Sequence, residues 1–311
     1  MDYFIGLDGG GTKTKCVLTG DDLKIIDSQI GSATNPLSVG FDESADVLAN
    51  LLKQVYKKIK RNSKVYICAG VAGCGREFHA KKLTSKLKRK LNRLDLAFED
   101  LSIVSDAEIA LEGALSGKPG MLLIAGTGSI LIGKDIYGNF YTVGGYGKLI
   151  GDEGGGYSIG RKGLNLVSKY YDGRGGESLL VKYLSEKFGI NNRNELITKV
   201  YSNNLNISDV TPLVLHAAEN NDNLCIKLLN EEISEIEAHV NSLIKKPAFK
   251  NSLLTFSGSL LTNQKYISTH LKNRLKEKVK IVKAKYPPEI GAVIIAKKML
   301  LKKNQQNIIE R

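Results

Sequence analysis

The segment Asp8-Gly9-Gly10-Gly11-Thr12-Lys13-Thr14 closes a short apolar run, Tyr3 to Leu7. Successive glycines let the backbone approach a ligand closely, and their N–H groups can ring a phosphate. Thr12, Lys13 and Thr14 add hydroxyls and a cation to the turn. Asp8, at the strand end, offers a carboxylate that can orient magnesium-bound waters. The motif is not a P-loop, which needs Gly-Lys adjacent, nor GxGxxG, because position 14 is Thr. A tight hairpin with structural glycines is the alternative reading. A second small-residue turn, Ala125-Gly126-Thr127-Gly128-Ser129, lies between two further apolar runs. Alone it reads as an ordinary turn; paired with the first, it reads as a second phosphate cradle.

Ser105-Asp106-Ala107 follows the apolar run that ends at Val104. Asp106 there either caps the next helix or acts as a general base. Phosphoryl transfer needs a carboxylate to accept the proton of the attacking hydroxyl. The run from Gly144 to Gly160 holds eight glycines in 17 residues, yet Asp152 and Glu153 stand together in its middle. A flexible linker would be Ser-rich and would not carry those side chains. A loop of this kind suits a sugar, whose hydroxyls need carboxylate acceptors and close backbone contacts. Asn35, in the polar turn Thr34-Asn35-Pro36, can both donate to and accept from a hydroxyl. Gly258, in Ser257-Gly258-Ser259, follows an apolar run and opens a helical stretch, a suitable place for a ribose or phosphate; a plain helix cap fits equally. The histidines, His79, His216, His239 and His270, fall on helical segments and read as surface or packing residues.

The elements that must carry these groups alternate in a repeated order. Strands are expected at 3–7, 15–19 and 24–29, an antiparallel meander by its short connections. A helix over 42–61 follows, then a strand at 64–71, a helix at 76–93, a strand at 101–104 and a helix at 106–116. Gly117-Lys118-Pro119-Gly120 punctuates the chain. The pattern then restarts with strands at 121–125, 129–133 and 140–143 and mostly helical sequence to 246. A strand at 253–256, a helix at 259–276, a strand at 280–283 and a helix at 288–302 complete it. The expected fold is α/β with two duplicated lobes, 1–117 and 118–287, with the C-terminal segment 288–311 packing back on the first. Two such lobes facing each other would set the glycine turns on opposite sides of one cleft.

Forty-five basic and 32 acidic residues give a net charge of +13 over 311 residues. The excess concentrates at Lys53–Lys64 and Lys81–Arg93, where apolar residues interleave. These read as solvated faces of amphipathic helices, and no nucleic-acid partner is expected. Four cysteines form no CxxC pair, so neither a disulfide scaffold nor a zinc site is indicated. No stretch approaches a membrane span, and the first residues lack a signal-peptide pattern. A cytoplasmic location with no membrane partner is expected.

The motifs together resemble the sugar-kinase branch of the actin, heat-shock-chaperone ATPase and hexokinase superfamily. They are most similar to the N-acetylglucosamine kinase family, which shares its ribonuclease H-like fold with the ATPase subunits of benzoyl-CoA reductase. The resemblance runs from Asp8 to PPEIGAVIIA near the C-terminus. DGGGTKT and AGTGS match the phosphate motifs, SDA the catalytic aspartate segment, GGYGKLIGDEGGGYSIG the sugar stretch and FSGSL the adenosine-side motif. It implies a homodimer that binds ATP with Mg2+ and transfers phosphate to O6 of N-acetylglucosamine or N-acetylmuramic acid. Carried across, Asp106 is the base and faces the sugar. Gly10, Gly11, Thr12, Lys13, Thr127, Gly128 and Gly258 bind ATP, and Asp8 serves the metal. Asn35, Ser129, Ile130, Gly145, Tyr146 and Asp152 face the sugar. The family commonly has Trp where Tyr146 stands, which bears on acyl-group preference.

A glucosamine or broad-specificity hexose kinase is the alternative activity. A third reading is an ATPase activator of a 2-hydroxyacyl-CoA dehydratase, whose iron–sulfur cluster needs exposed thiolates at a dimer seam. Cys68 and Cys74 are its only candidates, near an apparent loop after a strand. A sugar-sensing repressor would need a helix-turn-helix ahead of Asp8, and a polybasic binder would use the Lys-rich helices.

Overall fold

A computed structural model describes residues 2–202 and 204–309, apart from the side chains of 304 and 306–309. The expected terminal segment therefore ends, at 310 and 311, outside the described residues. Among the described residues no helix is long and apolar enough to cross a membrane. The chain divides into two units, one of residues 1–119 with 283–311 and one of residues 120–282.

In the first unit, strands β1 (Asp2–Gly9), β2 (Lys13–Thr19) and β3 (Ile25–Ser32) form the antiparallel meander. A short helix α1 (Pro36–Val39) leads into α2 (Phe41–Tyr56), and β4 (Lys64–Val71) returns parallel to β1. Helix α3 (Glu77–Arg93), strand β5 (Asp100–Val104) and helix α4 (Asp106–Ala114) follow, giving the sheet order β3-β2-β1-β4-β5. β1 and β4 are buried along most of their length, as a strand covered on both faces must be. Leu48, Leu52 and Val55 of α2 and Leu83, Leu87 and Leu91 of α3 cover one face with no measurable exposure. The expected lysine-rich faces point to solvent and also brace the two helices. Lys86 pairs with Asp42 at 2.5 Å, and Lys90 pairs with Asp46.

In the second unit, β6 (Gly120–Ala125), β7 (Ser129–Lys134) and β8 (Phe140–Gly144) make the second meander. Helices α5 (Gly156–Tyr171), α6 (Leu179–Phe188), α7 (Arg193–Tyr201), α8 (Thr211–Glu219) and α9 (Asn223–Ile244) follow. Strand β9 (Leu253–Ser257) pairs parallel to β6, and after α10 (Ser259–Thr262) and α11 (Lys265–Leu275) the two-residue β10 (Lys280–Ile281) pairs with β9. The order β10-β9-β6-β7-β8 is the first sheet's order repeated: a three-stranded meander extended by two parallel strands. The final helix, α12 (Pro288–Ile309), belongs to the first unit and covers its other sheet face through Ile290, Val293 and Ala296. It runs close against α4, where Gly113 meets the Gly291 backbone.

Three helix boundaries differ from the sequence reading. α2 ends at Tyr56 rather than 61, because the chain tightens at Lys57–Ile59 and takes a left-handed residue at Asn62 (φ 61°) to enter β4. Ile59 keeps its apolar position but not the helix. The helix expected over 259–276 is broken at Asn263–Gln264. The Thr262 hydroxyl bonds Gly258 O and Asn263 Oδ1, and such local side-chain bonds compete with helix propagation. α12 continues past 302.

Candidate active site

The β1–β2 turn is the tight hairpin that its glycines permit. Gly10 N–H donates to Lys13 O at 3.0 Å, and beyond Gly11 lies open space. Gly9 is covered by the Thr34 side chain, and Thr34 N–H donates to Gly10 O at 3.1 Å. Thr14 and Thr34 share a buried hydroxyl–hydroxyl bond of 2.9 Å, while Thr14 also donates to Ser32 O. Thr14 is thus a girder of the turn, and exposed Thr12 and Lys13 are the groups left for a ligand. Asn35 lies on the same wall: its Oδ1 accepts from Leu37 N–H at 3.0 Å, capping α1. That spends the amide oxygen and leaves the NH2 as a donor. The turn after β4 completes the wall, since Ala72 N–H donates to Gly9 O and Gly73 backs directly onto the Asn35 side chain.

Ser105, not Asp106, caps α4. Its hydroxyl accepts from Glu108 N–H at 3.1 Å and donates to Glu108 Oε1 at 3.0 Å, capping the helix and tying the Glu108 side chain to its start. This corrects the capping alternative for Asp106, which occupies the first helical position with Oδ1 accepting from Ala107 N–H at 3.0 Å. Asp106 is solvent-exposed on its outer side, yet the protein mass around it raises its carboxyl above the usual range. Asp8, half-buried at the end of β1, is pushed up to about 6, first by burial and then by the charges of Glu289 and Asp106, with Lys13 and Lys15 opposing. Glu289 was missed in the sequence. It is 4% exposed at the start of α12, and Lys15 Nζ pairs with it at 2.5 Å. The crowding of Asp8, Asp106 and Glu289 is the kind of repulsion a divalent cation relieves. Among the described residues no group of three His, Cys, Asp or Glu side chains could hold a metal unaided. Such a site fits Mg2+ that arrives with phosphates and keeps its waters, taking one or two carboxylates from the protein.

In the second unit the β6–β7 turn is a hub. Gly126 N–H donates to Gly128 O, and Gly145 N–H to Ser129 O. The first amides of α5, Gly156 and Tyr157, donate to Gly126 O and Thr127 O at 2.7 and 2.9 Å. Those donors are therefore spent, but the positive end of the α5 dipole still lies beneath exposed Thr127. Asp152 adopts a left-handed backbone (φ 62°), accepts from Gly147 N–H at 3.2 Å and presses its carboxylate on Gly128, where a Cβ would collide with it. Gly258, at φ 85°, backs onto Ala125 O so closely that no side chain fits. Ile130 lies over Gly145, and Tyr146 stands 75% exposed on the loop. Ser129 is the exception among the candidates. It is 3% exposed, and its hydroxyl donates to Glu153 O at 2.5 Å, so in this arrangement it ties the glycine-rich loop to β7.

His239 was read from sequence as packing. It does pack, beneath Gly144, but it also brings Nε2 to 4.0 Å from Glu153. Burial lowers its pKa, against the raising effect of Glu153, Glu235 and Asp152. Cys68 lies inside β4, not after it, and Cys74 in the turn beyond; both are buried. Burial pushes the Cys74 thiol up to about 11 and Cys68 higher still. These are not the exposed thiolates that a cluster-bearing activator needs.

Residues 5–296 match the sequence model of the BadF/BadG/BcrA/BcrD ATPase family. The chain belongs to that family. Family membership makes ATP the nucleotide. The N-acetylmuramic acid/N-acetylglucosamine kinase of Clostridium acetobutylicum is 30% identical over 307 residues, covering 96% of this chain and 99% of its own. The N-acetyl-D-glucosamine kinase of Dictyostelium discoideum is 29% identical over 317 residues, covering 95% and 98%. A solved structure from Chromobacterium violaceum, an N-acetylglucosamine kinase candidate, shares the fold with a TM-score of 0.69 at 23% identity, covering 94% of this chain and 98% of that one. The paired five-stranded sheets are those of the actin/hexokinase-like kinase fold.

Proposed function

We propose that this family member phosphorylates an amino sugar at the expense of ATP, with N-acetylglucosamine the leading substrate, N-acetylmuramic acid a second and the 6-phosphate the product. The observation that carries the reading is the carboxylate of Asp106. Helix capping does not employ it, the rigid end of β5 holds it, and it lies within electrostatic reach of Asp8 and the glycine turn. A base must be more basic than an ordinary carboxylate yet ionised near neutrality, and desolvation moves Asp106 in that direction.

In this reading Asp106 accepts the proton of the C6 hydroxyl as it attacks the terminal phosphorus. Thr12, Lys13, Thr127 and the backbone at Gly10, Gly11, Gly128 and Gly258 hold the nucleotide, and fixed donors and cations stabilise its charge. Asp8 would hold Mg2+, which supplies charge neutralisation between the phosphates when bound. The Asn35 amide donates to a sugar hydroxyl; in the second unit Asp152 accepts from one, Gly145, Ile130 and Tyr146 face the sugar, and Ser129 contributes by holding their loop. A homodimer remains the expected assembly. A coupled ADP-release assay against a panel of hexoses and hexosamines tests the activity. Release that depends on an N-acetylated hexosamine supports it; sugar-independent release supports the ATPase-activator reading instead.

A further inference from the structure

In the second unit, α5, the turn at Gly175 and Gly176 and the first turns of α9 line an open pocket of about 390 Å³ that has no part in the site above. Lys162, Lys169 and Lys227 line it around an apolar floor that includes Leu166 and Leu228, with Glu231 the one carboxylate on its wall. Among the described residues, Lys169 and Lys227 have no ion-pair partner. Lys162 is shared with the buried Glu232, so the unpaired ammonium groups of Lys169 and Lys227 against the carboxylate of Glu231 supply the positive field that would attract an anion. An apolar floor beside it suits a ring face, and the volume suits a monophosphate of a small ring compound.

Lys162 connects this cavity to the glycine-rich loop. Its Nζ lies 2.5 Å from Glu232 Oε1, which has no other partner. The Glu232 side chain is only 1% exposed, and its Oε2 accepts from Gly154 N–H at 2.5 Å. Gly154 follows Asp152-Glu153 directly and is packed against Ile236 so closely that no side chain fits there, which seats the loop on α9. One buried carboxylate thus bonds the loop with one oxygen and neutralises its charge with a lysine from the cavity wall. An anion in the cavity competes with Glu232 for that lysine. A buried carboxylate stripped of its counter-charge is costly, so Glu232 then favours leaving its buried position for water, and its hydrogen bond to Gly154 N–H is lost with that move.

We propose that this cavity is an allosteric site for a phosphomonoester dianion, whose binding draws Lys162 away from Glu232 and loosens the 152–156 loop. Binding itself does not depend on the kinase reading; the effect on sugar affinity rests on it. Losing one charge-assisted hydrogen bond to the loop corresponds to a rise of about tenfold in sugar KM.

The test compares wild type with Lys169→Ala/Lys227→Ala, two substitutions away from the catalytic groups, using N-acetylglucosamine 6-phosphate, AMP and inorganic phosphate as probes. Titration calorimetry should show wild type binding one more equivalent of the organic phosphates than the double variant. If inorganic phosphate alone reproduces the difference, the anion is recognised; if it does not, the ring contributes. Both proteins should have the same basal kcat and KM, with the tenfold rise in sugar KM confined to wild type. A Lys162→Met/Glu232→Gln pair, which keeps an acceptor for Gly154 N–H, should retain a near-normal KM and lose the response. Identical isotherms for wild type and the double variant overturn the site, and a binding difference without a KM response overturns the coupling. If neither protein phosphorylates any sugar, the kinase reading falls while the one-equivalent difference still decides the site.

Discussion

Asp8→Asn should stabilise the protein and disable it. Folding raises the Asp8 carboxyl from an ordinary 3.8 to about 6, through burial and the charges of Glu289 and Asp106. At about 1.36 kcal/mol per pKa unit, the charged form of a fully desolvated group would cost about 3 kcal/mol. Asp8 is half-buried, and solvent screening reduces this to about 1–2 kcal/mol. A carboxyl with a raised native pKa binds its proton more tightly folded than unfolded. The penalty is therefore absent below pH 3.8, grows between 3.8 and about 6, and is complete above. Asparagine keeps the shape and removes the charge. In metal-free buffer at pH 7.5 the variant should melt about 3–6 °C above wild type, and the gain should vanish at pH 4. Scanning calorimetry across that pH range measures both, and ADP release in the presence of magnesium should fall at least a hundredfold. Equal melting temperatures at pH 7.5, or a gain that persists unchanged at pH 4, would show that Asp8 is not held ionised against its surroundings and would refute the reasoning.

The raised Asp106 carboxyl also sets a pH profile. Burial raises the Asp106 carboxyl, and since the base must be ionised, kcat/KM should fall roughly tenfold per pH unit on an acidic limb that lies above the ordinary carboxylate range; a profile with no acidic limb above that range would contradict it. Asn35→Asp keeps the α1 cap, because Asp caps as well as Asn, but loses the amide donor. Sugar KM should rise about tenfold with no drop in melting temperature, and an unchanged KM would remove Asn35 from the sugar site. Gly258→Ala forces a side chain into Ala125 O at φ 85°, at a cost of about 1–3 kcal/mol or more. A melting temperature equal to wild type would show that the turn can relax.

Much of this was legible in the residues because local chemistry and tertiary need coincide. Gly-rich turns between apolar runs announced both hairpins, and the repeated order of elements announced the duplicated sheets. Asp106 stood out because a carboxylate after a strand has few duties. What was illegible depends on distant partners. Lys15 and Glu289 are separated by 274 residues, and no pattern near either predicts their pairing. The same holds for Glu232 with Gly154, 78 residues apart. Ser129 looked like a ligand hydroxyl because the sequence cannot show that Glu153 O lies within reach of it. The break at Asn263 was hidden because apolar periodicity continues across it in Leu260, Leu261, Ile267 and Leu271. Only the local bonds of Thr262 reveal that the backbone stops.

Phosphorus-31 NMR of the purified protein with ATP, magnesium and N-acetylglucosamine, run beside Asp106→Asn, tests the central claim most directly. The account predicts a growing phosphomonoester signal from the sugar 6-phosphate in wild type, and in the variant a rate lower by about 10²–10⁴-fold with both substrate affinities nearly kept. ADP and inorganic phosphate without any sugar phosphate, or an Asp106→Asn protein that makes the ester at a near-normal rate, would contradict it.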